Sequence, residues 1–393
     1  MVPRSAYVIA ARRSALGRVG GLHRARRLDD LARPVLETVL ADAGVTDAGG
    51  EHHNLLRVRE LILGNTTAGG NPARLVSMCG GLGLETPALT VDRGLASGLD
   101  ALLLAERAIA SGQADCVIAG GAEALSTAPW RVARPRKPQQ TPRFLPLAAL
   151  GQESGAAPEA IEALETLGRR HRISRADQDA FVTRAMLRVE RATSGRRLNG
   201  EIVPIRHHSE EMRDEPPQHR SDEGLAEAEA LESGGTVTSE NMAEAADGAA
   251  FAIVVSEALH ANLGRPPALR IAERVTTAGD PGVVPGAASA LLSLRQRCGD
   301  EAWERLGAVE VSETSALEAL ICARAAGVEE ERLNADGGAV IRGHAHGAAG
   351  AMLVARLFTQ MIRAPKDRRV PVAAAVAGSL DGLGTAVLLE AVL

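Results

Sequence analysis

Short apolar runs alternate with amphipathic stretches along most of this chain. Tyr7 to Ala11 reads as a strand, an Arg- and Gly-rich loop follows from Arg12 to Arg27, and Asp29 to Ala43 has the spacing of an amphipathic helix. The rhythm continues with a strand over Leu61 to Gly64, a helix over Pro72 to Leu82 and a strand over Ala88 to Val91. That strand enters a turn at Gly94 to Gly98 and a long helix, Ser97 to Ser111; a further strand, Asp115 to Ala119, is expected to stop at Gly120-Gly121. Strands that alternate with helices predict a mainly parallel sheet with helices on its faces.

From Ala128 to about Gly234 the pattern turns polar, with a helical patch from Ser174 to Thr193 that opens on a capping-type Ser174-Arg-Ala-Asp-Gln. This stretch reads as an insertion rather than as core. Buried patterning returns at Thr236-Val-Thr and at Asp247 to Ser256. After a turn at Gly264 to Pro267, strands are predicted at Ala268 to Val275, Ala308 to Val311, Val370 to Ala377 and Ala386 to Ala391. Helices are predicted near Ala287 to Arg297, over Ser315 to Ala326 and over Ala348 to Ile362. The chain therefore divides into two copies of one α/β layout, residues 1–265, with the insertion at about 128–234, and residues 266–393. No strict residue-level repeat accompanies them.

Composition sharpens this picture. At 393 residues and 45% hydrophobic the chain can bury a sizeable core, and with 2% aromatics and 41 glycines that core must be closely packed aliphatic layers. A net charge of −5 offers no basic footprint for a phosphate backbone, so nucleic acid is not an expected partner. Cys79, Cys116, Cys298 and Cys322 are widely separated, which indicates neither a zinc site nor a disulfide framework and fits a reducing cytoplasm. The N-terminal residues lack the apolar stretch of a signal peptide, and no apolar run approaches the roughly 20 residues that span a bilayer, so no membrane association is expected.

Five segments carry a resemblance. They are Arg13-Ser-Ala-Leu-Gly17; Ala119-Gly-Gly-Ala-Glu-Ala-Leu-Ser126; Ile173 to Phe181 with Glu201-Ile-Val-Pro204; Gly235 to Asn241 with Asp247-Gly-Ala-Ala250; and Asn334 to Gly350, a glycine run delivering His344. In this order and at these separations they resemble the thiolase family, the acetyl-CoA acetyltransferases and 3-ketoacyl-CoA thiolases. The resemblance implies an α/β thiolase fold: two αβαβαββ halves in a five-layered core with an inserted, CoA-binding loop domain. It also implies assembly as a homodimer or homotetramer.

In that family a cysteine accepts the acyl group, a histidine activates it, a second cysteine moves the α-proton, and backbone amides with an Asn-held water stabilise oxyanions. Carried over, the nucleophile falls on Leu95, whose hydrocarbon side chain cannot attack a thioester, and the second cysteine on Gly378. The Asn position is Ser312 and the Phe lining the acyl site is Ser315; two motif glycines become Leu380 and Asp381. Of the four side chains only His344 remains, as a base or an oxyanion donor, or as an inherited structural histidine. Substrate-binding positions fall on Ser97, Ala243 (a CoA-contacting serine in the family), Ser315, Gly343 and Leu380. Arg131, Arg134, Arg136 and Lys137 could meet CoA phosphates or form an ordinary solvated loop.

His346 reads as solvent-facing or structural, and a His-x-His metal pair lacks a third ligand nearby, so no metal and no cofactor is expected beyond a coenzyme A thioester as substrate or ligand. Ser97, Ser312 and Ser379 are hydroxyls near the cleft that more often cap or bond backbone than attack. Two functions stay open. One is carbon-carbon bond chemistry on a 3-oxo- or 3-hydroxyacyl-CoA without an acyl-cysteine, as in thiolase relatives that are aldolases and often need an OB-fold partner. The other is a catalytically silent subunit beside an active thiolase.

Overall fold

The structure, a computed structural model, describes residues 4–44, 57–135, 137, 139–144, 160–205, 212–215, 220–379 and 381–393. The first half contributes β1 (Ala6–Ser14), α1 (Leu28–Asp42), β2 (Leu61–Gly64), α2 (Pro72–Cys79), β3 (Ala88–Val91), α3 (Ser97–Ala110) and β4 (Cys116–Glu123). Helices α4 (Ala160–His171) and α5 (Arg175–Ser194) precede β5 (Ala246–Ser256), which closes that half. The second half holds β6 (Ala268–Ala278), α6 (Gly286–Glu304), β7 (Leu306–Val311), α7 (Ala316–Ala326), α8 (Ala349–Phe358), β8 (Val372–Gly378) and β9 (Leu383–Val392).

Hydrogen bonding lays the strands in the order β7-β8-β9-β6-β1-β5-β4-β2-β3. The duplication is visible in the pairing. In the first half β1 pairs antiparallel with β5 and β5 with β4, while β4–β2 and β2–β3 are parallel. In the second, β6 pairs antiparallel with β9 and β9 with β8, β8–β7 is parallel, and beyond β7 lies a parallel bridge, Val309 to Leu333. Antiparallel pairing of β1 with β6 joins the halves. By this correspondence α3 and α8 are equivalent, and so are the chain segments that lead into them: the turn bearing Leu95 and the loop bearing His344.

Three buried clusters define the layers. One packs α1 and α2 on one face of the first half's strands, a second holds the apolar sides of α3 and α8 between the two sets of strands, and a third packs α6 and α7 on the second half. The middle layer is close: a Cβ on Gly350 would lie 2.4 Å from the Leu99 nitrogen, and one on Gly98 would lie 2.8 Å from the Ala351 nitrogen. Only glycine lets the two helix N-termini approach backbone to backbone.

Four expectations are corrected. The sheet expected to be mainly parallel is mixed, with five of the eight pairings along this order antiparallel, because each half closes with antiparallel strands. The strand expected to stop at Gly120-Gly121 runs on to Glu123, because Gly120 and Gly121 stay in register with Phe251 and Ala250; a Cβ on Gly120 would lie 2.4 Å from the Phe251 ring. The helix expected to end near Arg297 runs to Glu304 across a kink at Gly299, where φ is +76°. The insertion is not wholly polar. Leu164, Leu167, Phe181, Val182 and Ala185 of α4 and α5 join the core beneath α7, and Ser174 and Asp177 form the expected reciprocal cap.

A buried ion network joins β1, the insertion and the second half. Glu201 accepts from Arg13 Nε and Arg356 Nη1, each at 2.6 Å; Asp214 accepts from Arg13 Nη1 at 2.6 Å and Arg342 Nη1 at 2.9 Å; and Arg356 also bonds Asp336. Three guanidiniums thus meet three carboxylates, which satisfies charges that burial would otherwise penalise by several kcal/mol each. Among the described residues no helix is long and apolar enough to cross a membrane.

Candidate active site

His344 is held from both sides of its peptide. Its N–H donates to the Glu244 carbonyl at 2.7 Å and its own carbonyl accepts from Ala246 at 3.0 Å, so the loop is clamped against the start of β5. Gly343 precedes it with φ +96°, and a Cβ there would lie 2.7 Å from that of Ala246, so this position is reserved for glycine. The imidazole is 4% exposed, and burial, with a smaller contribution from His346, lowers its pKa to about 3. It is neutral at pH 7. The backbone N–H of His346 donates to Nδ1 at 3.1 Å, which leaves the ring proton on Nε2. His344 therefore presents a donor, the polarity required of an oxyanion-binding group, rather than a lone pair awaiting a proton.

Nε2 lies 3.5 Å from Ser312 Oγ. Ser312 follows β7, with its amide donating to the Val376 carbonyl at 2.9 Å. It and His344 line a cavity of about 50 Å³ together with Leu16, Glu310, Arg356 and Met352. Next to Ser312, Glu313 accepts from Asn334 Nδ2 at 2.7 Å and the Val340 amide at 3.1 Å, so its carboxylate fixes the start of the histidine loop. Burial raises its pKa to about 7. Ser315 caps α7, accepting from Glu318 N at 3.2 Å, and Ala243 donates its amide to the Thr314 carbonyl at 2.9 Å. These backbone bonds bring the Ala243 segment against the Ser312 segment.

On the other half, the half-buried Leu95 lies in the turn before α3. Ser97 holds that turn shut: its Oγ accepts from Arg93 N at 2.8 Å and donates to the Gly94 carbonyl at 2.5 Å, which commits the hydroxyl to the backbone. The loop after β8 comes to the same turn, because a Cβ on Gly94 would be 3.6 Å from Ser379 Cβ. Ser379 donates to Asp381 Oδ1. Gly378 has no space for any side chain: a Cβ would sit 2.1 Å from the Ala287 nitrogen. Leu380 and Arg136 lie outside the described residues; Arg134 and Lys137 are exposed, and Arg131 donates to the Thr66 carbonyl.

Position-by-position reading of the sequence missed Glu123. Its carboxylate, buried at the end of β4, accepts from Asn65 Nδ2, the Thr66 amide and hydroxyl, the Thr67 hydroxyl and the Gly347 amide. It thereby ties the histidine loop to the end of β2. Desolvation raises its pKa to about 7 against those donors. The available signal was a lone carboxylate in an otherwise apolar strand. His346, half-buried with φ +35°, serves through its backbone.

All four cysteine thiols are shifted toward the protonated form. Burial pushes Cys116 up to about 12 and Cys322 well above its usual value, and it also raises Cys79 and Cys298, whose thiols donate to the Leu75 and Leu294 carbonyls at 3.0 and 2.7 Å.

The arrangement defines a class: a duplicated α/β protein whose candidate site lies where two equivalent helix N-termini meet beside a glycine-rich histidine loop. Family models for the thiolase N-terminal domain and the thiolase C-terminal domain match residues 6–258 and 268–391. Among relatives, the VraB protein of Staphylococcus epidermidis, named as a candidate acetyl-CoA C-acetyltransferase, is 32% identical over 89% of this chain and 91% of its own length. The Staphylococcus aureus counterpart is 29% identical over 98% of each chain. Human mitochondrial 3-ketoacyl-CoA thiolase, solved in complex with CoA, superposes with a TM-score of 0.87 at 26% identity, covering 99% of this chain and 98% of the other. The Bacillus anthracis acetyl-CoA acetyltransferase does so with a TM-score of 0.86 at 25% identity over the full length of both. The chain belongs to the thiolase family and has the thiolase fold.

Proposed function

We propose that this chain binds an acyl-CoA thioester and makes or breaks a carbon-carbon bond in a 3-oxo- or 3-hydroxyacyl-CoA without an acyl-cysteine intermediate. The observation that carries this reading is the neutral His344 with Nε2–H directed to the Ser312 wall, in a chain that places Leu95 and Gly378 where the family resemblance puts its thiols. A CoA complex among the similar solved structures supports the ligand class.

In the cleavage direction a base takes the 3-hydroxyl proton and the C2–C3 bond breaks. Its electron pair moves onto C2 and the thioester oxygen as an enolate, which then takes a proton at C2. His344 Nε2–H supplies the hydrogen bond to that oxygen, worth about 3–4 kcal/mol where oxyanion donors of this kind have been removed. We assign the proton-accepting carboxylate to Asp381, which Ser379 bonds on the loop facing Gly94. The reaction needs no cofactor besides the CoA ester. Assembly as a homodimer or homotetramer, or as a heteromer with an active thiolase or an OB-fold protein, belongs to the same proposal.

Titration calorimetry with CoA, acetyl-CoA and acetoacetyl-CoA, followed by thiolysis and 3-hydroxyacyl-CoA cleavage assays, tests it. Binding with cleavage that His344→Ala abolishes supports the proposal, whereas robust thiolysis overturns it. The small cavity beside His344, about 50 Å³, favours one second reading, a silent subunit that pairs with an active chain. Absence of both binding and turnover would favour that reading.

A further inference from the structure

A second cavity is larger than the one beside His344. It has a volume of about 370 Å³ and lies at the opposite end of β7, lined by Gly307 and Ala308 where Ser312 follows the other end, roughly 13 Å away along the strand. The segment after α5 and the turn after α8 form its other walls.

Its lining carries four arginines, Arg196, Arg197, Arg363 and Arg368, against one carboxylate, Asp336. That carboxylate is already engaged, by Arg356 and by Arg197 Nη1 at 2.9 Å. Arg363 stacks its guanidinium 4.7 Å from the Phe358 ring centre and approaches Asp42 only at 3.5 Å, while Asp42 is held by Arg12 at 2.5 Å. Burial, and to a smaller extent the neighbouring Arg12, lowers the Arg363 pKa to about 10. Among the described residues Arg196 and Arg368 make no side-chain hydrogen bond or ion pair, and both are exposed.

We propose that this cavity binds a phosphorylated small molecule, a phosphate monoester or diphosphate, at a site separate from the thioester site. Two arginines without a partner among the described residues and a third weakly paired one suit a polyanion better than a single carboxylate, because guanidinium forks match phosphate oxygens pairwise. The volume is in the range of metabolite sites and exceeds what inorganic phosphate alone would fill. Asp336 and Gln360 of the same wall contact Arg356 and Glu310, which also line the His344 cavity, so an occupant is placed to influence it.

The test is calorimetric titration of the full chain with inorganic pyrophosphate and, separately, with ADP at physiological salt. Saturable binding is expected, weakened about tenfold or more in the Arg196→Asn/Arg368→Ser double variant. Circular dichroism and melting of that variant should match the wild type, since both side chains are exposed and neither has a partner among the described residues; asparagine tolerates the φ of +51° at position 196. Absence of saturable heat into the millimolar range, unchanged affinity in the double variant, or full competition by CoA would each overturn the proposal. Failure of the carbon-carbon bond reading leaves these outcomes untouched.

Discussion

Gly378 and Ala287 meet without room for a side chain between them: a Cβ on Gly378 would lie 2.1 Å from the Ala287 backbone nitrogen and 2.8 Å from its Cα. The start of α6 leaves no space for a side chain at the position where the family resemblance puts the second thiol. A neighbouring contact is as tight, since a Cβ on Gly286 would lie 1.8 Å from the Leu383 carbonyl oxygen.

Placing thiols at the two positions should therefore give unequal results. Leu95→Cys shortens a half-buried side chain and should fold with a loss of roughly 1 kcal/mol or less, the usual range away from packed cores. Gly378→Cys forces backbone displacement and should cost roughly 1–3 kcal/mol or more. Urea denaturation of both variants decides this, and a Gly378→Cys protein as stable as the wild type would contradict the described contact.

His344 predicts an acid-sensitive fold. Its pKa is about 3 in the native state, against an ordinary value of 6.5. Below pH 6.5 the unfolded chain takes up a proton that the folded chain refuses until about pH 3, so stability falls as pH drops through that window and levels off beneath it. At pH 5 the loss from this group alone is about 2 kcal/mol. His344→Gln keeps an N–H donor but does not titrate, and its urea midpoint should fall less between pH 7.5 and pH 5 than that of the wild type. Parallel curves for the two proteins would sink the assignment.

The strand and helix succession of both halves was legible because strands such as β2 are short apolar runs bounded by turn residues and α1 is amphipathic with Leu28, Leu31, Val35 and Val39 on one face. The extent of β4 was not. Gly120 and Gly121 punctuate the sequence, and only the approach of Phe251 explains why glycine stays within the strand. The histidine loop could be named from its glycines, yet the tautomer of His344 depends on a backbone N–H two residues away, which no pattern encodes. Glu123 and the ion network around Glu201 escaped because they join segments far apart in the chain.

Glu310 gives the opposite pH dependence from His344. Burial, with Asp336 and Glu201 nearby and only partly offset by Arg356, raises its pKa to about 7 from an ordinary 4.5, and it accepts from Gln360 Nε2 at 2.7 Å. Between those values the unfolded chain has released its proton and the folded chain has not, so stability falls as pH rises from 4.5 to 7, by roughly 3 kcal/mol in all. Glu310→Gln, which keeps the carbonyl acceptor, should be more stable than the wild type at pH 8 by an appreciable part of that amount and similar to it near pH 4.5. Denaturation midpoints at the two pH values check the prediction; a variant less stable at pH 8 would show that the ionised carboxylate supports the fold.

Glu201 tests whether the ion network holds the His344 cavity in shape. Its carboxylate is completely buried between Arg13 and Arg356, both of which line that cavity. Its pKa is lowered despite desolvation because Arg356 and Arg13 favour the charged form. Glu201→Gln leaves two buried guanidiniums short of one negative charge, a loss of roughly 3–5 kcal/mol at pH 7 for breaking a buried pair from one side. The sign follows from the depressed native pKa: the stabilisation is present above pH 4.5 and is lost as pH falls through the native value. The difference between wild type and Glu201→Gln should therefore be largest at neutral pH and shrink in acid. If ligand binding at His344 depends on this network, CoA ester affinity should fall in Glu201→Gln at pH 7, and the companion Arg356→Met/Glu201→Met variant, which removes charges of both signs, should regain much of the stability. A double variant no more stable than Glu201→Gln alone would show that the third carboxylate, Asp336, depends on Arg356 more than Glu201 does.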